Sequence, residues 1–420
     1  LFHRQFSGNL SLDQSKEETM GENRGLSAEN AQAVTAPFDA ARLDRLLDEA
    51  GIDAVVVCSK HNIQYLLGGY RFFFFDHFDA IGVSRYLPFL VYVKGRPDQS
   101  VYVGHGMESY EKDLGKFWTP SFQTAGATLD SAQRVVDHLR KLAPSLKRVG
   151  VERGFLPADA ADHIARELPG VTFVEAHFPL ERLRARKTRE ELDMVREASD
   201  RVVDSMLAVM ASHGPGSTKA ELVEALRREE VSRGLTFEYC LLTAGSSLNR
   251  APSDEVWGEG DILSLDSGGN YKGYIGDLCR MGIQGEPDSE LEDLLGEVDE
   301  IQMAARKPIR AGAIGRDIYA SADEVLGRSS RANSIEFVAH GMGLISHEAP
   351  RLTSHGPIAY PAYDADLPLE PGMVISIETR IADPRRGFVK LEDTVAVTEQ
   401  GYEAFGDRGR GWNRGGTRAA

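Results

Sequence analysis

The stretch LDSGGNYKGYIGDLCR, Leu265 to Arg280, constrains this chain more than any other. Apolar, β-prone runs, ILSL and YIGDLCRM, flank a segment rich in glycine and asparagine, residues that tolerate positive φ. The pattern predicts a β-hairpin. Each arm carries an aspartate, a residue that strands disfavour. With Tyr271 and Lys272 as the two-residue loop, Asp266 and Asp277 face each other across the ladder with their side chains on one face. Like charges directly opposite destabilise a sheet, and a cation between them removes the conflict. A solvated acidic edge hairpin would also account for the pair, so the rest of the chain has to decide.

Two later strand-like runs repeat the anomaly. Glu378 lies in MVISIETR and Glu392 in VKLEDTVAV, and these runs are expected to pair as neighbouring strands. Buried carboxylates are costly unless partnered. His340, in VAHGMGLISHEAP, adds an imidazole, although a histidine between glycines also fits an ordinary loop. Four carboxylates with one histidine suit manganese, cobalt, iron or zinc, and two divalent ions rather than one.

The chain around these residues has 420 positions, enough for two domains with separate cores. Its net charge of −16 and lack of a Lys/Arg stripe argue against a nucleic acid partner. No apolar run approaches membrane-span length, so no membrane partner is expected. Three widely spaced cysteines, Cys58, Cys240 and Cys279, suit a reducing cytoplasm and lack zinc-thiolate spacing. Residues 1–37 are polar and unpatterned and read as a disordered leader, with Met20 as the candidate native start. From Phe38, helical periodicity in FDAARLDRLLDEAGI is followed by the strand DAVVVCS. NIQYLLGGYRFFFF is read as leading to a second strand, and YLPFLVYV as a third. The alternation of strands and helices predicts an α/β domain over 38–180. A long charged helical stretch from LERLRARKTREELDMVREAS leads into a second domain over 181–410, mixed in helix and strand, with 411–420 as a tail.

DSGGNYKGYIGD, HGMGLISHEAP and the two late glutamates resemble, in order and spacing, the pita-bread (M24) metallopeptidase family, in its Xaa-Pro dipeptidase/aminopeptidase and creatinase branch. GIDAVVV, HNIQYLLGGY and the linker LRARKTREELDMVREAS extend the resemblance to the first domain. It implies an α/β creatinase/prolidase-like N-terminal domain followed by an α+β pita-bread catalytic domain. It also implies Asp266, Asp277, His340, Glu378 and Glu392 as ligands of two divalent ions, manganese or cobalt before zinc or iron. Glu378 would take the proton of a metal-bridged nucleophile, and His347 would donate to the oxyanion or position the substrate. A helical i, i+7 pairing of His340 and His347 competes with that reading, but Gly341, Gly343 and Pro350 oppose a regular helix there. The implied protein is a homodimeric hydrolase of short peptides.

Departures from the family concern the substrate side. No histidine lies between His213 and His340, where peptidase members usually carry one. Glu378 is followed by Thr379 and Arg380 in place of the usual proline and glycine, and Lys390 stands where Xaa-Pro enzymes commonly have arginine. Arg250 and Arg380 bring two guanidinium forks, which match a carboxylate, so both are candidate substrate-binding residues. The alternative function is therefore hydrolysis of a C–N bond in a small carboxylate-bearing metabolite, as in creatinase or ectoine hydrolysis. YRFFFFDHF, Tyr70 to Phe78, holds more aromatic surface than one strand needs and suggests a subunit interface or an aromatic wall over a partner's pocket.

Overall fold

Asp39 starts helix α1, Ala40–Glu49, its carboxylate accepting from the Arg42 backbone N–H at 2.8 Å. Gly51, at φ 63°, releases the chain into strand β1, Ala54–Val57, which is buried throughout. This computed structural model describes residues 35–76, 86–142, 146–355 and 360–416. The expected leader thus falls almost wholly outside the described residues, as does Phe78 of the aromatic run.

The segment expected to lead into a second strand is helical instead. Ser59 caps helix α2, Lys60–Leu66, and Ile63, Leu66 and Leu67 recur at helical spacing on its buried side. Phe73–Asp76 follows as a 3₁₀ turn. Phe72 and Phe75 pack into the core with Tyr86, while Phe73 is 59% exposed. The second strand proper is β2, Phe89–Val93, followed by β3, Val101–Gly104, helix α3, Glu108–Asp113, and β4, Ser121–Thr124. Helix α4, Thr128–Leu142, strand β5, Arg148–Val151, helix α5, Ala158–Glu167, and strand β6, Thr172–Glu175, complete the first layer. The sheet order is β4-β3-β2-β1-β5-β6, mixed in direction, with apolar clusters on both faces.

Helix α6, His177–Ala185, spans the boundary set at residue 180. The passage into the second domain comes just after it, where Lys187 N–H bonds to the Gly372 carbonyl at 2.9 Å. Thr188 and Glu191 form a capping box that starts α7, Arg189–Ser212. Next come β7, Ser217–Thr218, α8, Lys219–Ser232, β8, Thr236–Ala244, and β9, Val256–Trp257. The aspartate hairpin is β10, Ile262–Tyr271, and β11, Tyr274–Ile283. Helices α9, Ser289–Arg306, and α10, Asp317–Leu326, precede β12, Ile335–Gly341, β13, Val374–Asp383, β14, Gly387–Val397, and β15, Tyr402–Phe405. A last strand, β16, Asn413–Arg414, pairs with β11 inside the stretch read as a tail. The second sheet runs β12-β13-β14-β11-β10-β8.

The hairpin register differs from expectation. The loop is Lys272–Gly273, with φ of 53° and 101°, and Asn270 Oδ1 accepts from the Gly273 N–H at 2.7 Å. Positive φ at both central positions is the type I′ signature that matches the strand twist. Asp266 therefore faces Cys279, and Asp277 faces Gly268. The two aspartates are diagonal neighbours, not opposite partners. They remain on one face, because the slip moves the pairing by an even number of residues.

A chain of buried polar groups ties the two layers together. The Glu152 carboxylate accepts from Cys58 N–H, Ser59 N–H, Ser59 Oγ and Asn62 Nδ2 at 2.5–2.8 Å. Asn62 in turn accepts from Arg184, and Arg184 pairs with Glu348 at 2.8 Å. Glu348 also takes Lys187 Nζ at 2.9 Å.

Glu230, at the end of α8, is buried; one oxygen accepts from Ser267 Oγ at 2.8 Å and the other has no hydrogen-bond partner. Burial pushes its pKa up to about 7. An acid whose folded pKa is raised binds more protons folded than unfolded, so its stabilisation is lost as pH rises from about 4.5 through 7. Glu230→Gln is expected to raise stability relative to the parent by about 3 kcal/mol at pH 8 and by little at pH 4.5. Urea unfolding at both pH values checks this, and an equal shift at both would remove Glu230 as the titrating group.

Candidate metal centre

Strand alternation gathers the predicted ligands. Asp266 pairs with Cys279, Cys279 with Glu392, Glu392 with Glu378, and His340 with Ser376 two residues before Glu378. Paired residues share a face and so do residues two apart, so Asp266, Asp277, His340, Glu378, Lys390 and Glu392 all project from one side of the sheet. The expected pairing of the two glutamate strands is present, with Glu378 directly opposite Glu392. Donor atoms of Asp277, His340 and His347, of His340, Glu378 and Glu392, and of Asp266, Asp277 and Glu392 each lie within 4.8 Å of one another.

His340 provides the test of whether a metal ion fits. Its Nε2 is buried and has no hydrogen-bond partner. It faces Glu378 Oε1 at 3.9 Å and Glu392 Oε1 at 3.7 Å, too far for hydrogen bonds. An orphaned imidazole nitrogen among carboxylate oxygens is a donor set suited to a divalent ion.

Lys390 complicates the other side of the cluster. Its ammonium lies 2.6 Å from Asp266 Oδ2, 2.6 Å from Glu378 Oε2 and 2.8 Å from Glu392 Oε2. Arg250 pairs with the same oxygen of Asp266. Lys390 was legible as a departure from the family, but not as a group inside the ligand cluster.

These contacts set the protonation pattern. Burial lifts Asp266 to about 6, with Lys390 opposing and Glu392 adding to the rise. Asp277 is driven well above the carboxylate range by burial and by Glu392 and Asp266. Burial works against ionisation of Glu392 too, but Lys390 and His340 outweigh it and hold the pKa low. Burial disfavours charge on His340, yet Glu392, Glu378 and Asp277 raise it to about 9. His347 behaves oppositely: burial and the neighbouring His340 lower it to about 3. The two rings stack with centroids 3.8 Å apart.

No helix joins these histidines. The strand ends at Gly341, whose backbone is held by Pro350 O at 3.0 Å and by Glu348 N–H at 2.9 Å. A Cβ at Gly341 would sit 2.3 Å from the Ala349 carbonyl carbon, so only glycine permits this tight return. Tyr239 was missed by sequence reasoning. It pairs with Gly268, and a Cβ there would meet its ring at 2.4 Å. The bare glycine thus seats the phenol between β8 and Asp277, and the opposed tyrosine and glycine were the available signal.

Arg250 and Arg380 line one cavity of about 220 Å³ with Glu336, Val338 and Glu378. Arg380 pairs with Glu336 from the neighbouring strand. Both guanidinium groups lie over the Phe388 ring, at 5.1 and 5.5 Å from its centroid. All three cysteines are buried. Among the described residues no helix is long and apolar enough to cross a membrane.

Comparison with known proteins agrees with this architecture. Residues 193–399 match metallopeptidase family M24, and residues 40–186 match the creatinase/prolidase N-terminal domain. A Mycobacterium tuberculosis protein named "Probable dipeptidase PepE" is 34% identical over 239 residues, 55% of this chain and 61% of the relative. The Xaa-Pro dipeptidase of Pyrococcus furiosus is 24% identical over 371 residues, 86% of this chain and 95% of the relative. The structure of the Xaa-Pro dipeptidase from Bacillus anthracis superposes with a TM-score of 0.75 at 22% identity, over 89% of this chain and 98% of that one.

Proposed function

Because the chain belongs to metallopeptidase family M24 and carries a creatinase/prolidase N-terminal domain, we propose that it hydrolyses the Xaa-Pro bond of short peptides in a metal-dependent reaction. The observation that carries this reading is the buried, unpartnered His340 Nε2 aimed at Glu378 and Glu392. His340, Glu378, Glu392 and Asp277 would hold the ion, with Asp266 completing the carboxylate cluster. A bound divalent ion supplies Lewis acidity for the scissile carbonyl and acidifies water. Manganese or cobalt suits this oxygen-rich set ahead of zinc or iron.

The chain's own groups do the rest. Glu378 borders the cavity, and there it takes the proton of the attacking water and returns it to the leaving nitrogen. His347 is neutral at physiological pH and donates a ring N–H to the carbonyl oxygen as charge develops. Arg250 and Arg380 hold the substrate carboxylate. The protein acts as a cytoplasmic homodimer: its few, widely spaced and buried cysteines suit a reducing compartment, and exposed Phe73 suits a subunit contact.

A second reading has a specific basis. Two arginines share a small cavity with Glu378, and the histidine usual in peptidase members is absent from the sequence between His213 and His340. This favours a small carboxylate-bearing substrate with a C–N bond. Turnover of Xaa-Pro dipeptides and tripeptides by manganese-loaded protein, read by mass spectrometry, separates the two. Cleavage at the Xaa-Pro bond is expected. Bound metal with no cleavage of any peptide would replace the first reading by the second.

A further inference from the structure

We propose that the Lys390 ammonium fills one of the two cation positions of this cluster, so that the protein holds one divalent ion and not two. The proposal rests on the metal-dependent reading above. An ammonium has three N–H donors, and here each has a carboxylate: Asp266, Glu378 and Glu392, at 2.6–2.8 Å. A metal ion at that point would require oxygen contacts near 2.1 Å on the same three atoms, and two cations do not share one such cage.

The glutamates divide their oxygens between two places. Glu378 turns Oε2 to Lys390 and Oε1 toward His340; Glu392 does the same. Both carboxylates therefore bridge, with the lysine at one end and the unpartnered His340 Nε2 at the other. Asp277 borders the histidine end, and among the described residues no lysine or arginine pairs with it. Asp266 is taken up at the lysine end, since Arg250 joins Lys390 on its Oδ2. Charge agrees. Lys390 and Arg250 offset two of the four carboxylates, and one divalent ion offsets the rest. A second ion would leave the buried cluster with excess positive charge.

The test is a metal count on the full chain. Wild type, Lys390→Met and Lys390→Arg are saturated with Mn(II), desalted, and measured by elemental analysis and low-temperature EPR. The expected result is one manganese per chain with an isolated six-line spectrum in wild type and in Lys390→Arg. Lys390→Met should rise twofold to two per chain, with an exchange-coupled spectrum. Two ions in wild type, or one in a folded Lys390→Met, would overturn the proposal. If Lys390→Met does not fold, the wild-type count still decides. A count of two leaves the hydrolase reading standing, whereas no bound manganese in wild type would sink both. Failure to cleave peptides does not alter the count.

Discussion

Asp277→Asn is expected to lose metal and turnover together while leaving the metal-free protein folded. Asp277 is buried beside Asp266 and Glu392, and their charges with its burial keep its pKa well above the carboxylate range. In the metal-free protein its neutral form is therefore favoured, and asparagine mimics that form closely. Metal binding requires the ionised carboxylate and releases the proton. The substitution removes this anionic donor from the cluster but not the shape of the side chain. Losing Lewis-acid stabilisation worth several kcal/mol corresponds to a fall in kcat/KM of about a thousandfold. Manganese content, kcat/KM and the thermal midpoint with and without metal check the three parts. The metal-dependent rise in midpoint should vanish and the metal-free midpoint should stay level or increase. Retained metal with retained turnover would remove Asp277 from the site.

Glu348→Gln should produce the largest loss of stability. Glu348 is fully buried, and its oxygens hold Arg184 at 2.8 Å and Lys187 at 2.9 Å. Both cations have side chains only 1% exposed. A neutral amide removes the one carboxylate that both cations contact and leaves them buried and underpaired, a defect that costs about 3–5 kcal/mol. Arg184 also joins Asn62 of the first domain, and the Glu348 backbone is bonded to Gly341 beside His347. The same substitution should therefore loosen the domain junction and lower turnover. The exposed pair Arg328–Glu324 is the control, where Glu324→Gln should cost no more than about 0.5 kcal/mol. Urea unfolding of both variants measures the contrast. A loss below about 1 kcal/mol for Glu348→Gln would mean that water reaches the two cations.

Much of the site was legible because its signal is local. A carboxylate within a β-prone run is an anomaly visible in a few residues, and Asp266, Asp277, Glu378 and Glu392 each showed it. Period-2 alternation then put the pairs on a common face even though the hairpin register was misjudged. The error came from the loop: Tyr271–Lys272 and Lys272–Gly273 both follow from the residue types, and Lys272 adopts the positive φ that side chains usually avoid. The helix at Lys60–Leu66 was obscured by its shortness: seven residues, KHNIQYL, make barely two turns, and so short a window does not by itself separate a buried helix from a strand.

By itself the sequence determined which residue types reach the site, the face they share, and the family and fold to which they belong. These depend on alternation, turn chemistry and motif order, all properties of short segments. Tertiary structure alone decided the partners. Lys390 reaches Asp266 across 124 residues of chain, and Arg380 meets Glu336 across 44. A long flexible cation reaches several acids, and which ones it meets follows from strand order and register. Those are set by loop closure and core packing over the whole second sheet, and no local pattern encodes them.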